Sequence, residues 1–441
     1  MRRTDLMIII ACLSFFGCKQ ATKEVFIYED KDEEISIEKK LIIEEFDENQ
    51  ILKFSDIFQS VEFVKLETND TSLIGRIDKI LVADNKYIIL DASIAKKVFV
   101  FDSNGKFLNL LGKIGAGPGE YDSPDDIAYN KQKGEVLVWS NNDKKIITYK
   151  LDGQYVSEFR TNWWISSLAV VDSEAYALYL NNITQDNGKT NDYDVVIVNN
   201  EGEIINQFIP SKKELKSFSP STKKAFSSYN GKILFSPQYS KRTYEINKDS
   251  INLTHYVDFM EYTIPSSLFI NTTARKLSKI LEKEDKYAFN ISSAETENYV
   301  FMQIVYKNRI FDYYYYKDLK KYKLSSLYFN DLSSLVLTGV FMCTDNANSL
   351  ISYVEPESFI LMQDVLKEIN VSNQSNLGTL IYKKILSMKS TNLSKSTKKN
   401  YMDIANSISM KISDEELNFI RNVKSSDNPI IRIAKLKTDI K

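Results

Sequence analysis

Histidine and cysteine are scarce in this 441-residue sequence, which contains one histidine and three cysteines. A structural zinc centre built from His and Cys needs roughly four such ligands. Cys12 and Cys18 lie in the N-terminal segment, so only His255 and Cys343 remain for the folded part of the chain, which excludes such a centre. A Ser-His-Asp triad is excluded unless His255 is its base, and no serine lies in a nucleophile-elbow motif. The abundant carboxylates leave a Ca²⁺ site open, but the sequence indicates no cofactor.

An excess of either charge is also missing. Lys and Arg total 57 against 59 Asp and Glu, which gives a formal net charge of -2. Binding to nucleic acid depends on a basic surface that neutralises phosphates, so we expect no nucleic-acid partner. A hydrophobic content of 43% is typical of globular proteins and not of disordered ones.

The N-terminus lacks an apolar run long enough to span a membrane. Arg2 and Arg3 precede an apolar run from Leu6 to Phe16, about eleven residues, whereas a spanning helix needs about 20. The run has the length of a signal-peptide core. It ends in Phe15-Phe16-Gly17-Cys18, which resembles the lipobox of bacterial lipoproteins. That resemblance implies a signal peptide over residues 1–18, a lipid on Cys18, and export to the cell envelope, at the outer membrane or a periplasmic face. The alternative is an ordinary signal peptide with an incidental cysteine.

The segment that follows, 19–53, is rich in Asp and Glu. We interpret it as a solvated tether that holds a folded domain, 54–441, away from the membrane. Because Cys12 is removed with the signal peptide and Cys18 carries the lipid, Cys343 has no disulfide partner. Its apolar neighbours indicate a buried, unreactive thiol.

Turn glycines recur at a regular spacing. Gly105, Gly153 and Gly202 lie about 48 residues apart, each between two alternating apolar runs, a pattern typical of β-hairpins. A period near 48 with four strands per unit is that of a β-propeller blade. Six units can be counted, which predicts an all-β fold, a six-bladed β-propeller with helical insertions in its C-terminal half, at about 266–286 and 357–423. The run 61–66 is expected to complete the last blade beside 429–436, so that no edge stays open.

The stretch from Gly112 to Tyr121 is predicted to form a corner between the first two units. Its four glycines and Pro118 indicate positive φ or a close approach of the backbone. A strand follows instead of a helix N-terminus, so the glycines do not indicate a phosphate site. Together with 67–75 and the final strand 428–437, this stretch resembles the six-bladed β-propeller lipoproteins of Gram-negative bacteria, whose blades are similar to NHL repeats. The resemblance implies a fold and an envelope location, and it brings no settled activity.

Polar and aromatic residues precede the innermost strand of successive units. Corresponding loops of a propeller lie on one face, so we expect these side chains to converge on the rim of the central channel. An aromatic shelf beside carboxylates suits a sugar or a peptide. The alternative is that the tryptophans pack between blades and that the charges are only solvated. The candidate ligand-binding residues are Arg76, Asp78, Lys79, Glu120, Tyr121, Asp125, Asp126, Trp163 and Trp164.

Two classes of function fit these features. The first is a membrane-anchored binding or scaffold protein that recognises a saccharide, peptide or protein partner at the channel rim. The second is a propeller-type hydrolase or lyase that uses channel carboxylates, with or without Ca²⁺. We favour the first, because repeat proteins bind through their surface alone and no acid–base pair stands out. No catalytic residue and no metal ligand is assigned.

Overall fold

The computed structural model describes residues 36, 39–185, 188, 191–211, 215, 218–220, 223–333, 339–345, 348–368, 380–384, 393–408 and 412–438. The predicted signal peptide, Cys18 and most of the acidic segment lie outside the described residues. None of the helices in the described parts of the chain is long and apolar enough to cross a membrane.

Three short strands come before the repeating part of the chain. They are β1 (Lys40–Ile42), β2 (Ile51–Lys53) and β3 (Phe58–Lys65), with a 3₁₀ turn at Phe54–Asp56. Leu41, Ile43 and Phe46 are buried, so the end of the acidic segment folds onto the sheets. This corrects the predicted tether over 19–53 for residues 39–53, whose apolar side chains favour burial over solvation.

Antiparallel sheets of four strands then follow one another. Sheet I consists of β4 (Lys79–Ala83), β5 (Lys86–Asp91), β6 (Lys97–Asp102) and β7 (Phe107–Leu110). The short strands β8 (Lys113–Ile114) and β9 (Glu120–Tyr121) pair in parallel across the corner. Sheet II consists of β10 (Asp126–Asn130), β11 (Glu135–Ser140), β12 (Lys145–Lys150) and β13 (Tyr155–Arg160). Sheet III consists of β14 (Ser167–Asp172), β15 (Ala175–Tyr179), β16 (Tyr193–Asn199) and β17 (Ile204–Pro210).

The second half continues the pattern with helices inserted. Sheet IV consists of β18 (Phe226–Tyr229), β19 (Lys232–Phe235), β20 (Arg242–Ile246) and β21 (Ile251–Asp258), and β1 adds to β21 in parallel. After 3₁₀ turns at Met260–Tyr262 and Ser266–Leu268 and helix α1 (Ala274–Glu284), sheet V consists of β22 (Ala288–Glu295), β23 (Tyr299–Tyr306), β24 (Arg309–Tyr316) and β25 (Lys321–Ser325). β26 (Leu327–Phe329) pairs with β2. Sheet VI starts with β27 (Val340–Thr344) and β28 (Ser349–Val354), and helices α2 (Pro356–Glu368), α3 (Lys395–Ser407) and α4 (Asp414–Asn422) precede β29 (Ile430–Leu436).

Sheet VI is completed by a strand from the N-terminal part of the chain. β3 pairs antiparallel with β29, in a register that places Lys65 opposite Ile430 and Phe58 opposite Leu436. This is the pairing that the sequence predicted between 61–66 and 429–436.

The turn glycines show why the chain repeats its pattern. Gly105, Gly153 and Gly202 have φ of +82°, +90° and +85°, a region that favours glycine. They close the hairpins between the third and fourth strands of sheets I, II and III. A Cβ at these positions would lie 2.2 Å from Lys65 O, 2.9 Å from Leu110 O and 3.2 Å from Arg160 O. Each hairpin therefore rests on the last strand of the preceding sheet, and a side chain larger than glycine would collide there.

The apolar core is divided into layers between neighbouring sheets. Tyr121 and Tyr149 belong to the layer between sheets I and II, and Trp139 to the layer between II and III. The remaining neighbouring pairs are separated by similar layers. The first strands β4, β10, β14, β18, β22 and β27 contact one another in this order, and β27 also contacts β4. The predicted all-β fold is confirmed to the extent that the described chain is mainly β.

Candidate functional site

The starts of β4, β10 and β14 meet at one end of the molecule. We use the name upper face for this end, which also includes loops 73–78, 91–96, 122–125 and 141–144. Lys79 Nζ lies 2.7 Å from Asp126 Oδ1, and Asp126 Oδ2 accepts a hydrogen bond from the backbone N–H of Leu168 at 2.8 Å. Asp126 is fully buried. These two predicted site residues therefore connect the first strands of sheets I, II and III.

Two carboxylates hold the loops of sheet I at the upper face. Asp91 accepts hydrogen bonds from the backbone N–H groups of residues 75 and 76 at 2.7 and 2.9 Å, and Asp78 accepts from those of residues 92 and 93 at 2.9 and 3.0 Å. Burial alone would raise the pKa of Asp78, but hydrogen bonds from Arg76 and Ser93 hold it below its usual value. The two loops are therefore fixed to each other.

Asp125 has the same role in sheet II that Asp78 has in sheet I. Its carboxylate accepts a hydrogen bond from the backbone N–H of Asn141 at 2.8 Å, and burial raises its pKa. Its carbonyl oxygen accepts a hydrogen bond from the ammonium of Lys223, which comes from the loop before sheet IV. Asp78 and Asp125, which immediately precede the first strands of sheets I and II, therefore make equivalent contacts.

Trp163 and Trp164 lie beside loop 141–144, and both are half-buried. Trp163 packs against the layer between sheets II and III. The backbone N–H of Trp164 donates to Gln185 Oε1 at 2.7 Å. The ammonium of Lys144 lies 5.0 Å from the centroid of the Trp164 ring, within the distance of a cation–π interaction. Lys144 therefore lies over one face of this ring, and a sugar that stacked on this face would have to displace it.

Glu120 and Tyr121 have local structural contacts at the corner. Tyr121 is fully buried, and its hydroxyl donates to Leu111 O at 3.0 Å. Its predicted place on a solvent-facing rim is corrected by this burial, because its ring fills the layer between sheets I and II. Glu120 accepts a hydrogen bond from the backbone N–H of Gly117 at 2.8 Å and lies 3.1 Å from Lys113 Nζ. The Gly117 hydrogen bond and then the Lys113 contact lower its pKa.

The upper face also carries exposed apolar side chains, which the sequence analysis did not identify as candidates. Leu73 is 52% exposed and Ile94 is 65% exposed. Leu73 shares its loop with Arg76, whose side chain is 57% exposed and pairs with Asp78. A Cβ on Gly75 would lie 2.4 Å from the Ile94 side chain, so the two loops are in contact at this point. Strand alternation could not identify these residues, since both lie in loops.

Behind the upper face, the first strands of all six sheets surround a cavity of about 290 Å³. Lys223 and Lys224 lie in its wall, and the Lys224 ammonium donates to Phe341 O at 2.5 Å. These lysines had no signal in the sequence beyond their position shortly before β18. Near its other end, the hydroxyl of Tyr129 donates to Asp84 Oδ2 at 2.6 Å.

His255 takes part in an ion-pair cluster. Its Nε2 lies 2.5 Å from Glu295 Oε1, and Lys317 Nζ lies 2.8 Å from Glu295 Oε2. Burial alone would raise the pKa of Glu295, but His255 and Lys317 lower it to about 2. Among the residues that the structure describes, no group of three or more His, Cys, Asp or Glu side chains is placed to hold a metal ion.

These features define a mainly β protein, built from small antiparallel sheets around a central cavity. Residues 34–383 match the family described as Domain of unknown function (DUF4934), and the chain belongs to that family. No curated protein matches its sequence.

Two solved structures illustrate the structural similarity. A Bacteroides fragilis NCTC 9343 protein, described as a predicted exported protein, is 16% identical, with 91% of this chain and 99% of that chain covered and a TM-score of 0.68. A member of the DUF4221 family from Bacteroides vulgatus ATCC 8482 is 10% identical, with coverages of 61% and 86% and a TM-score of 0.39. At 16% identity, the first of these shows a shared fold.

Proposed function

We propose that the chain is an exported binding or scaffold protein, a closed six-bladed β-propeller anchored by a lipid on Cys18, whose upper face recognises a peptide segment of a partner protein. The ring is supported by the contacts of the first strands in chain order and by the pairing of β3 with β29. The observation that carries the binding role is the exposed trio Leu73, Arg76 and Ile94 on two loops held by Asp78 and Asp91.

A peptide fits this surface better than a saccharide. Protein interfaces are enriched in arginine and have a centre that is more apolar than the rest of the surface, and Leu73, Arg76 and Ile94 provide both features. A saccharide would need an open aromatic ring, whereas Lys144 covers one face of Trp164. Loops that are fixed before binding also lose less conformational entropy when a partner docks.

The alternative hydrolase or lyase gains no support from the predicted carboxylates. Asp78 and Asp125 accept hydrogen bonds from loop backbones, and Asp126 pairs with Lys79 inside the protein. A carboxylate that acted as a general acid or base would have to give up these contacts in order to exchange a proton with a substrate.

Arrays of random dodecapeptides and of glycans test the binding role. The protein should bind a subset of the peptides. Arg76→Ala and Ile94→Ser should weaken the selected peptides by tenfold or more, since a central anchor contributes about 2 kcal/mol. Ile204→Ser is the matched control, because Ile204 is 49% exposed on β17. Binding to glycans alone, or equal losses in the control, would contradict the peptide role.

Export and anchoring are supported by the apolar run before Gly17-Cys18 and by the similarity to a protein described as predicted to be exported. Cys18→Ala should release the protein from the membrane fraction or leave it unprocessed. An unchanged membrane partition and an unchanged mature mass in this variant would contradict lipidation.

A further inference from the structure

The central cavity is separate from the upper-face trio and has the dimensions of a small-molecule site. Its volume of about 290 Å³ lies near the lower end of the range for ligand pockets, which starts at about 300 Å³. Much of its wall is apolar, with Leu81, Ile127, Leu168 and Val170 from three different first strands. A ligand with a compact apolar body therefore fits this space.

A positive charge stands at one part of this wall. Lys224 reaches across from the start of sheet IV to the carbonyl of Phe341 in sheet VI, and burial lowers its pKa to about 8. Lys79 and Lys223 also line the cavity. The charge of Lys79 is neutralised by Asp126, and the Lys223 ammonium donates to the backbone oxygen of Asp125. The Lys224 ammonium would be stabilised by an anion inside the cavity, since an opposite charge offsets the cost of desolvation.

A hydroxyl in the same wall lacks a hydrogen-bond partner. Ser293 on β22 is 4% exposed, and its Oγ has no partner within the described part of the chain. A buried polar group without a partner destabilises the folded protein, so such groups in native proteins call for an explanation. The hydroxyl can donate to an anion that enters the cavity.

The neighbouring thiol completes this part of the wall without acting as a nucleophile. Cys343 on β27 lines the cavity. Burial raises its pKa to about 12, so it stays protonated at neutral pH. The neutral thiol therefore does not repel an anion near Lys224.

From these observations we propose that the central cavity binds a small carboxylate with an apolar body, whose carboxylate is held by Lys224 and Ser293. One ammonium and one hydroxyl match a carboxylate. A phosphate usually draws on an arginine fork or several backbone N–H groups.

Calorimetric titration and thermal shift with defined probes test this site. The probes are hexanoate and benzoate, their neutral counterparts hexanamide and benzamide, and inorganic phosphate. At least one of the two carboxylates should saturate the full-length protein and raise its unfolding temperature. Its amide should bind at least tenfold more weakly, and phosphate should not bind.

Variants locate the bound carboxylate. Lys224→Met and Ser293→Ala should each weaken its binding, Lys224→Met by tenfold or more. Lys435→Met is the matched control, because Lys435 is an exposed residue of β29, and this variant should bind as the wild type does. Arg76→Ala should also leave carboxylate binding unchanged, which separates this site from the peptide surface.

The proposal is overturned if neither carboxylate saturates the protein, if amide and carboxylate bind equally, or if phosphate alone binds. It is also overturned if Lys224→Met retains full affinity. If Lys224→Met does not fold, the comparison of acid with amide and the Ser293→Ala variant still decide the question.

Discussion

Several of the polar residues that were predicted to bind a ligand instead make contacts that stabilise the fold. Asp126 is fully buried and bonds both Lys79 and the backbone of Leu168. Desolvating two charges is costly, and their attraction offsets this cost only while both partners are present. The pair is therefore sensitive to the loss of either member.

Asp126→Ala should destabilise the protein by about 3–5 kcal/mol, because it leaves the Lys79 ammonium inside without its partner. The double variant with Lys79→Met and Asp126→Leu should recover much of this loss. Chemical denaturation measures both. The exposed pair of Lys367 and Asp364 is the control and should change stability by about 1 kcal/mol or less. Equal effects at the two pairs would contradict the structural role.

Glu295 predicts a stability change in acid. Its folded pKa of about 2 lies below the reference value of 4.5, so its contribution is present above pH 4.5 and is lost as the pH falls towards 2. The charged or titratable groups near it are His255, Lys317, Lys232 and Tyr229.

Glu295→Gln should therefore reduce the dependence of unfolding free energy on pH between about pH 5 and pH 2. Denaturant titrations at several pH values measure this slope. Glu415→Gln, at an exposed glutamate of α4, serves as the control and should leave the slope close to that of the wild type. A wild-type slope in Glu295→Gln would show that another group causes the acid loss.

At the scale of elements, a residue near the C-terminus fixes a loop near the N-terminus. Asn428 is fully buried just before β29. Its Oδ1 accepts from the backbone N–H of Ile74 at 2.8 Å, and its Nδ2 donates to Glu67 O at 2.8 Å and Ser72 O at 2.9 Å. One side chain thus satisfies three backbone groups of the loop that leads to the upper face.

Asn428→Ala should cost about 2 kcal/mol or more, since Ile74 N–H and Ser72 O lose their partner and each buried backbone group left without one costs about 1–3 kcal/mol. Glu67 O keeps its hydrogen bond from the Ser72 hydroxyl. Asn422→Ala is the matched control, because Asn422 is exposed and its side-chain amide donates to Asn418 within α4. Thermal unfolding of both variants measures the difference. A small effect for Asn428→Ala would mean that water replaces the amide.

Local patterns in the sequence were enough for much of this architecture. Gly105, Gly153 and Gly202 identified the hairpins, because positive φ at a turn leaves a direct trace in residue type. The repeat count, with one strand missing from the last unit and one unmatched strand at the start, identified β3 and β29 as partners for closure. The repeat also placed Asp78 and Asp125 just before the inner strands of their units.

Contacts between distant segments left no comparable trace. The pairing of Lys79 with Asp126, the reach of Lys224 to Phe341, and the Asn428 contacts each join residues 47 or more positions apart. A lysine or asparagine in a loop has the same appearance in the sequence whether it is solvated or buried. The packing of the apolar side chains within 39–53 was missed for the same reason, since Leu41, Ile43, Phe46 and Leu52 are buried against segments far along the chain. The acidic residues between them favoured a solvated segment.

At the scale of the whole molecule, stability depends on how the sheets join. β29 lies between β28 and β3, and its buried residues Ile431, Ala434 and Leu436 contribute to the layers on both sides of sheet VI. Without β29, β3 has no partner, and two neighbouring layers lose apolar contacts. If the sheets form a closed ring, this loss should affect every sheet and not only sheet VI.

Removal of residues 428–441 should therefore lower the denaturant midpoint of the whole protein, with tryptophan fluorescence and circular dichroism changing together. All three tryptophans belong to sheet II or the segment that follows it, far along the chain from the deletion, so their response reports on propagation. Removal of 439–441 alone is the control for a shortened chain.

A synthetic peptide of residues 426–438 added in trans should restore part of the lost stability, because it supplies β29 together with Asn428. An unchanged midpoint in the 428–441 deletion would show that the sheets do not depend on this closure. A tryptophan signal that stays native while circular dichroism changes would mean that the loss stays within sheet VI and its neighbours.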